Sequence, residues 1–394
     1  MVSARRALAC VSHVRALHLA RVQDGLITRT QALAAGLTPS AIEHALRPGG
    51  PWRWVVRGVY ATFTGPLAPI HRLRAACLRA GDGALVTGAW ACWLSGLRYA
   101  PPPGDVVDVL VGREIDRSNT GFVRIHQTSR LPEGQFWFGL DEPPVPREVV
   151  LDWIAPAARP GVIPAVSAAR AVVDAIVLTQ PQLPDWMPVH RQAALRNVRA
   201  LMCEAVQRRK AQLDDLRVEA LAARRRGSAL VRVALADIEA GCRSAPECEL
   251  RDLVRRSRIL PEPLCSRPLA GVRGIVPDAC WPDRRLIVEV DSRSFHGFGD
   301  APERTEQRRA RLAALGWVVL PVSPARLRAD PAGVLAQIEA ALQGAQLISA
   351  IRARPPGGGG SAAARGRRCS GRGRRRPSAG RRRPARVPAP RRPR

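Results

Sequence analysis

Apolar and acidic residues alternate along the segment 286–291 (LIVEVD), and this alternation predicts a β-strand. Successive side chains of a strand point to opposite faces, so we expect one buried face, with Glu289 and Asp291 projecting from the other. The residues 281–283 (Trp-Pro-Asp) predict a tight turn that folds the preceding strand back. If the pairing centres on this turn, Asp278 lies almost opposite Glu289, and three carboxylates meet at one end of a sheet.

Carboxylates crowded in this way repel one another unless a cation lies between them. Hard oxygen ligands suit Mg²⁺ or Mn²⁺, and these ions activate water and neutralise charge at a phosphodiester. The same Glu-x-Asp spacing also occurs on a solvated sheet edge that has no chemical role. On spacing alone, both interpretations stay open.

The N-terminal region predicts two short helices joined at a glycine turn. The residues 28–31 (TRTQ) have the pattern of a capping box that opens the first helix, and Gly36 ends it. Thr38 caps a second helix, with Pro39 at its first position. This arrangement is typical of a helix-turn-helix. The segment 52–60 then predicts a strand that would form a wing.

The middle of the chain carries shorter patterns of both kinds. Helical patterns occur at 71–80 and 88–97, and strand patterns occur at 106–111, 123–126 and 149–152. From 167 to 240 apolar residues recur at helical spacing, which predicts a helical connector without chemistry of its own.

The length of the chain limits the number of domains, and its charge bears on the kind of partner. The chain has 394 residues, enough for two or three domains with real cores. From residue 351 onward it holds 16 arginines and no acid, which leaves +13 of the total charge of +29 for the residues before. A basic body supports a nucleic-acid partner without proving one. The segment from about 352 has almost no apolar residue, so it predicts disorder. It either holds nucleic acid through counterion release or is a dispensable extension.

The cysteines and the hydropathy pattern favour a cytoplasmic protein. Nine cysteines form no Cys-x-x-Cys pair and no cluster with zinc spacing. The first twenty residues mix arginines and histidines with short apolar pieces, and no stretch has the length of a signal peptide core or a membrane span. We therefore expect reduced thiols, cytoplasmic localisation and no membrane partner.

The segment 241–342 resembles the Vsr-like (very-short-patch-repair-type) endonuclease domains of the PD-(D/E)xK nuclease superfamily, which are common in high-GC actinobacteria. The resemblance rests on blocks in the family order, namely the opening helix 244–251 with Glu247, Asp278 of the PD motif, Glu289-Val-Asp291, Phe295-His296, Arg308 and 316–320.

This resemblance implies a metal-dependent nuclease. Asp278 and Glu289 would be the main ligands of Mg²⁺ or Mn²⁺, and Glu247 would complete the metal site. Asp291 or His296 would orient water or assist proton transfer, as the hydrolysis of a phosphodiester requires. The implied catalytic residues are Glu247, Asp278, Glu289, Asp291, His296 and Arg308.

The segment 25–61 is similar to the winged-helix N-terminal domain of AbiEi-type antitoxins of type IV toxin-antitoxin systems, down to the closing Arg57-Gly58-Val59-Tyr60. The resemblance implies DNA binding and a cognate toxin as a partner. The implied DNA-binding residues on the second helix are Ser40, Glu43, His44 and Arg47, with Arg53 and Arg57 on the wing. The alternative is that the winged helix is a protein-interaction module.

Together the patterns predict an α/β multidomain protein. The predicted parts are a winged helix (1–63), an α+β domain (64–160), a helical connector (161–240), a restriction-endonuclease-like α/β/α domain (241–345) and a disordered basic tail (346–394).

The predicted function is metal-dependent endonuclease activity on nucleic acid, chiefly DNA. The alternative is a catalytically inactive, antitoxin-like transcriptional regulator, which Thr305 and Pro321 favour because they replace residues that active relatives carry. A third candidate is a metal-binding scaffold for a protein partner.

Overall fold

The computed structural model describes residues 2–138, 162–179, 188–224, 227–290 and 301–353. The chain divides into a unit Met1–Ser349 and a second unit Ala350–Arg394. Most of the predicted disordered tail, from 354 onward, lies outside the described residues.

The helices of the described residues are α1 (Val2–Arg21), α2 (Arg29–Ala34), α3 (Pro39–Ala45), α4 (Pro69–Ala80), α5 (Gly88–Leu94), α6 (Ala168–Thr179), α7 (Pro188–Gln207), α8 (Leu213–Ala222), α9 (Ala229–Glu239), α10 (Ala245–Ser257), α11 (Ala301–Ala314), α12 (Pro324–Ala329) and α13 (Pro331–Ala353). Within the described residues, no helix is both long and apolar enough to cross a lipid bilayer.

The strands of the described residues are β1 (Leu26–Thr28), β2 (Arg53–Val56), β3 (Val59–Ala61), β4 (Leu85–Val86), β5 (Val107–Gly112), β6 (Val123–Thr128), β7 (Gln135–Phe138), β8 (Val162–Ala165), β9 (Leu264–Cys265), β10 (Ala279–Trp281), β11 (Leu286–Val290) and β12 (Val318–Val322). They form sheets of three, five and four strands, so the described chain is a mixed α/β structure.

The N-terminal helices begin where their capping residues predict. The Thr28 hydroxyl accepts a hydrogen bond from the Gln31 backbone N–H at 3.1 Å, and the Gln31 side-chain oxygen accepts one from the Thr28 N–H at 2.9 Å. The Thr38 hydroxyl caps α3 by accepting from the Ala41 backbone N–H at 3.1 Å, with Pro39 at the first turn. The prediction of a single strand over 52–60 was wrong, because this segment forms two strands, β2 and β3, which pair as a hairpin. The chain reverses at Gly58, whose φ of +78° suits glycine.

The helix α1 was not predicted, yet it completes the core of this region. Its residues Ala16 and Ala20 are fully buried against a cluster that includes Ile27, Ile42 and Trp52. The three strands follow the order β1-β3-β2, with both pairings antiparallel. The helices α2 and α3 lie between β1 and β2 in the chain, so the order of elements is α1-β1-α2-α3-β2-β3.

The five-stranded sheet has the order β6-β5-β4-β8-β7. The predicted strands near 106–111 and 123–126 are β5 and β6, which pair in parallel, whereas the strand predicted at 149–152 lies outside the described residues. The strand β8 pairs with β4 and β7, and α6 packs against α5. The segment predicted as a helical connector therefore shares one hydrophobic cluster with this sheet, as Ile163, Val172 and Leu201 illustrate.

The four-stranded sheet has the order β12-β11-β10-β9. The strand β11 pairs with β10 antiparallel and with β12 in parallel, with α11 between the two parallel strands in the chain. Both faces of β11 are covered: Leu286 and Val288 pack in one cluster with Val254, and Ile287 packs in another with Leu312. The expectation of a single buried face was wrong, because β11 is an inner strand of the sheet.

Buried ion pairs tie α7, α9 and α10 together. The Arg199 guanidinium, 4% exposed, donates to Asp237 at 2.8 Å and to Asp252 at 2.6 Å. Arg251 reaches the other oxygen of Asp237 at 3.0 Å. Removal of one partner from such a pair strongly destabilises the fold, because the other charge is left buried without a counter-charge. They fix α10, the helix that carries Glu247.

Candidate functional site

Asp278 lies at the start of the hairpin that β10 and β11 form. The pairs Ala279 with Val288 and Trp281 with Leu286 set the register, which sets Asp278 opposite Glu289 when it is continued by one residue. The Val290 backbone N–H donates to Asp278 Oδ2 at 2.8 Å. The strand pairing thus brings two of the predicted carboxylates side by side.

Glu289 is buried, with 8% of its surface exposed, and faces two arginines on α11. Arg308 Nη2 lies 2.8 Å from Glu289 Oε1 and also donates to the Val276 carbonyl at 3.1 Å. Arg309 Nε lies 3.9 Å from Glu289 Oε2. The Arg308 contact is an ion pair by distance without hydrogen-bond geometry, so Glu289 Oε1 has no hydrogen-bond donor within the described chain.

Glu247 sits in the first turn of α10, where Ser244 is the N-cap. Its Oε1 accepts from the Ser244 hydroxyl at 2.8 Å. Its Oε2 accepts from the Arg243 backbone N–H at 2.9 Å and from the Ser266 hydroxyl at 3.0 Å. These contacts hold the N-terminal end of the helix and link it to the segment after β9. Both oxygens therefore already have donors from the protein.

Glu247 and Glu289 act electrostatically on Asp278. Burial, followed by the negative charges of Glu247 and Glu289, raises the pKa of Asp278 from 3.8 to about 7. The Val290 N–H and the positive charge of Arg308 oppose this rise. Desolvation and like charges both favour the protonated carboxyl, and a cation at the site would reverse that preference.

The chemistry of these donors fits a hard divalent cation. The carboxylates offer oxygen ligands, and Glu289 Oε1 is a buried acceptor that lacks a hydrogen bond within the described chain. Across residues 2–138, 162–179, 188–224, 227–290 and 301–353, no three His, Cys, Asp or Glu side chains stand close enough to hold a metal as a group. A cation at Asp278 and Glu289 would therefore draw further ligands from water or from residues beyond these ranges.

The predicted residues Asp291 and His296 lie outside the described residues. Two residues whose side chains touch the predicted acids were missed in the sequence. Ser266 belongs to no motif, and only the fold brings its hydroxyl to Glu247. Arg309 stands beside Arg308 in a helix that is charged all round, so the pattern did not single it out.

The predicted nucleic-acid residues of the N-terminal region differ in exposure. On α3 and just after it, the exposed residues are Ser40, Glu43, His44 and Arg47. The Arg47 guanidinium lies against the His44 ring.

The two wing arginines have different surroundings. Arg57 is exposed at the turn of the β2–β3 hairpin. Arg53 is half-buried, with its guanidinium 5.6 Å from the centre of the Phe63 ring. This stacking leaves Arg53 less available to a phosphate than Arg57.

Comparison with known proteins gives a partial match. No family model matches the chain. Two proteins of Mycobacterium tuberculosis, Uncharacterized protein MT2308 and Uncharacterized protein Rv2248, are each 31% identical to it over 169 residues. The match covers 42% of this chain and 62% of each relative, so the chain spans less than two thirds of the relatives' length. Their names state no activity.

Proposed function

We propose that this protein is a metal-dependent endonuclease with a DNA-binding winged helix. The observation that carries the proposal is Asp278, a carboxyl held beside Glu289 and near Glu247 with its pKa raised to about 7. A carboxylate with a purely structural role normally has partners that favour its charge. Groups with strongly shifted pKa values cluster at functional sites. The parallel pair β11–β12, with layers packed on both faces, supports a restriction-endonuclease-like domain.

Each residue of the site has a definable task in this proposal. Asp278 and Glu289 would hold Mg²⁺ or Mn²⁺, and a bound divalent ion would supply charge neutralisation at the phosphodiester and activation of water. The Val290 N–H orients Asp278, and Arg308 orients Glu289 from α11. Glu247 adds negative charge near Asp278 from its position in the first turn of α10. Asp291 or His296 would orient the water or accept its proton, as the resemblance implies.

The proposed DNA contact is the N-terminal region. Its element order α1-β1-α2-α3-β2-β3 and its three-stranded sheet support a winged-helix assignment. The exposed residues of α3 would enter a major groove, and Arg57 at the hairpin turn would meet a phosphate.

A second candidate is an inactive, DNA-binding regulator with a cognate toxin as its partner. Three observations favour it. Both oxygens of Glu247 already accept hydrogen bonds from the protein, and Arg308 balances the charge of Glu289 without a metal. In addition, Pro321 occupies the position on β12 beside Glu289, where the resembled family often has arginine.

The deciding experiment measures cleavage and binding on the same proteins. The full chain is incubated with duplex DNA, single-stranded DNA and RNA, with Mg²⁺, with Mn²⁺ or with EDTA. Asp278→Asn and Glu289→Gln remove the charges with little change of shape. Asp283→Asn is the matched control, because Asp283 is an exposed acid in the turn of the same hairpin.

Metal-dependent cleavage that both site variants lose and Asp283→Asn keeps would support the nuclease. Binding of duplex DNA without cleavage, unchanged in all three variants, would favour the regulator. Cleavage that persists in Asp278→Asn and Glu289→Gln would contradict the assignment of the site.

A further inference from the structure

A cavity of about 690 Å³ lies between the N-terminal three-stranded sheet and the five-stranded sheet. The start of α2 and the β2–β3 turn form one wall, while the end of α4, the loop after it and the loop between β5 and β6 form the other. This cavity is separate from the carboxylates of the hairpin β10–β11 and takes no part in the proposed hydrolysis, although Arg57 in its lining is also a proposed DNA contact.

Positive charge converges on this cavity. Its lining contains Arg29, Arg57, Arg79 and Arg117, and the only acid in the lining drawn from the described residues is Asp82. A further lining arginine, Arg74, is 1% exposed and pairs with Asp24 at 2.9 Å, outside the lining. The other four form no ion pair with a carboxylate of the described chain.

Arg79 lines the cavity with its guanidinium bound to Ser118. Its Nη2 donates to the Ser118 carbonyl at 3.1 Å and to the Ser118 hydroxyl at 3.3 Å, which fixes the guanidinium plane. Its Nε is buried and has no acceptor within the described chain. Burial, together with the positive charges of Arg117 and Arg57, lowers the pKa of Arg79. The three guanidinium groups repel one another, and the buried Arg79 Nε lacks an acceptor within the described chain. A bound anion would relieve both unfavourable conditions.

Part of the remaining lining is apolar. Leu78, Leu131, Pro132 and Pro164 provide a surface on which a flat or aliphatic group can pack. Pockets that bind small molecules combine an apolar wall with a few convergent polar groups, in volumes of about 300–1,000 Å³. The cavity has the size and mixed character that suit a compact molecule with a phosphate at one end.

We propose that this cavity binds a phosphorylated small molecule of nucleotide size, with Arg79 and Arg117 on its phosphate and the apolar wall on its base or other organic part. Arginine suits this task because its planar fork matches phosphate oxygens. A phosphate of a nucleic-acid backbone offers the same chemistry. A backbone phosphate should approach the buried Arg79 Nε less readily than a free nucleotide does, because it is held in a bulky, stiff duplex. A free nucleotide is small enough for the cavity.

The test is isothermal titration calorimetry of the full chain with ATP, AMP, pyrophosphate, inorganic phosphate and adenosine, and separately with a DNA duplex. Arg79→Gln and Arg117→Gln remove one cationic group each. Arg79→Lys keeps the charge at the first position. Arg255→Gln is the matched control, since Arg255 is an exposed arginine on α10 and does not line the cavity. Thermal unfolding of each variant reports whether it folds.

We expect saturable binding of at least one phosphorylated compound and none of adenosine. Loss of one charge-assisted hydrogen bond weakens binding by about ten-fold or more. Arg79→Gln and Arg117→Gln should show this loss, Arg79→Lys should recover part of it, and Arg255→Gln should bind as the wild type does.

Three results would overturn the proposal. The first is no saturable binding of any phosphorylated compound by the wild type. The second is equal binding by the wild type, Arg79→Gln and Arg117→Gln. The third is a loss of duplex affinity in Arg79→Gln without nucleotide binding by the wild type, which would assign the cavity to a nucleic-acid backbone. Because the cavity lies apart from Asp278, these outcomes do not depend on the result of the cleavage assay.

Discussion

Replacement of Asp278 by asparagine should stabilise the metal-free protein above neutral pH. The folded chain raises the pKa of this carboxyl from 3.8 to about 7, because the group is desolvated and lies near Glu247 and Glu289. Between these two values the folded state holds a proton that the unfolded state has released. Stability therefore falls as pH rises through this interval, and the full penalty is present above pH 7. Below pH 3.8 both states are protonated and the penalty vanishes.

The size of the effect follows from the same shift. A difference of about 3 pH units, at about 1.4 kcal/mol per unit, sets an upper limit of about 4 kcal/mol. Asp278 keeps partial contact with solvent, which screens part of the charge, so we expect Asp278→Asn to raise the free energy of unfolding by about 2 kcal/mol at pH 8. Asparagine can still accept the Val290 N–H through its side-chain oxygen, so the bond at 2.8 Å need not be lost.

The assay is urea unfolding in EDTA at several values between pH 5 and pH 8, followed by circular dichroism. The quantity compared is the difference in the free energy of unfolding between Asp278→Asn and the wild type. Asp283→Asn, in the exposed turn, is the matched control. A stabilisation that is the same at every pH, or a destabilisation by Asp278→Asn at pH 8, would refute the reasoning that burial and like charge act on Asp278.

Three further results are expected. Arg199→Met should lower the free energy of unfolding by about 3–5 kcal/mol in urea titrations, because it leaves Asp237 buried without that partner; an unchanged urea midpoint would contradict this. Arg308→Gln should shift the pH profile of any cleavage to higher pH, because Arg308 lowers the pKa of Asp278, and a profile that stays in place would argue against that coupling. Cys10 is exposed and should react with a thiol reagent in the native state, whereas the buried thiols should react only after unfolding; mass spectrometry of the labelled peptides checks the order.

The sequence predicts those parts of the fold that depend on local chemistry. Thr28 and Thr38 begin helices because their hydroxyls accept from the backbone N–H three residues later, and this relation is visible in the residue order. The hairpin is also local, since one tight turn joins β10 to β11. The short strand β4 and the helix α1 were missed because tertiary pairing and packing define them, and neither has a clear periodic pattern.

The candidate site is predictable only in part for the same reason. The hairpin fixes the pairing of Asp278 with Glu289 within a few residues of chain. The contact of Glu289 with Arg308 requires α11 to fold back over the sheet, and the contact of Glu247 with Ser266 spans 19 residues. Whether a strand is buried on one face or on both depends on such distant elements. This dependence is why the alternation along β11 predicted the strand correctly and its burial wrongly.

The contrast between Glu247 and Asp278 separates a structural reason from a functional one. Glu247 accepts three hydrogen bonds that cap α10 and hold the segment after β9, so its presence is accounted for without any ligand. Within the described chain, Asp278 accepts one backbone hydrogen bond and lies among like charges, so it should lower the stability of the metal-free fold above neutral pH. An asparagine at position 278 could keep the hydrogen bond from the Val290 N–H and would remove the penalty of the buried charge. A carboxylate that the fold alone does not favour argues for a ligand that needs its charge, and this is the strongest reason to test Asp278 before Glu247.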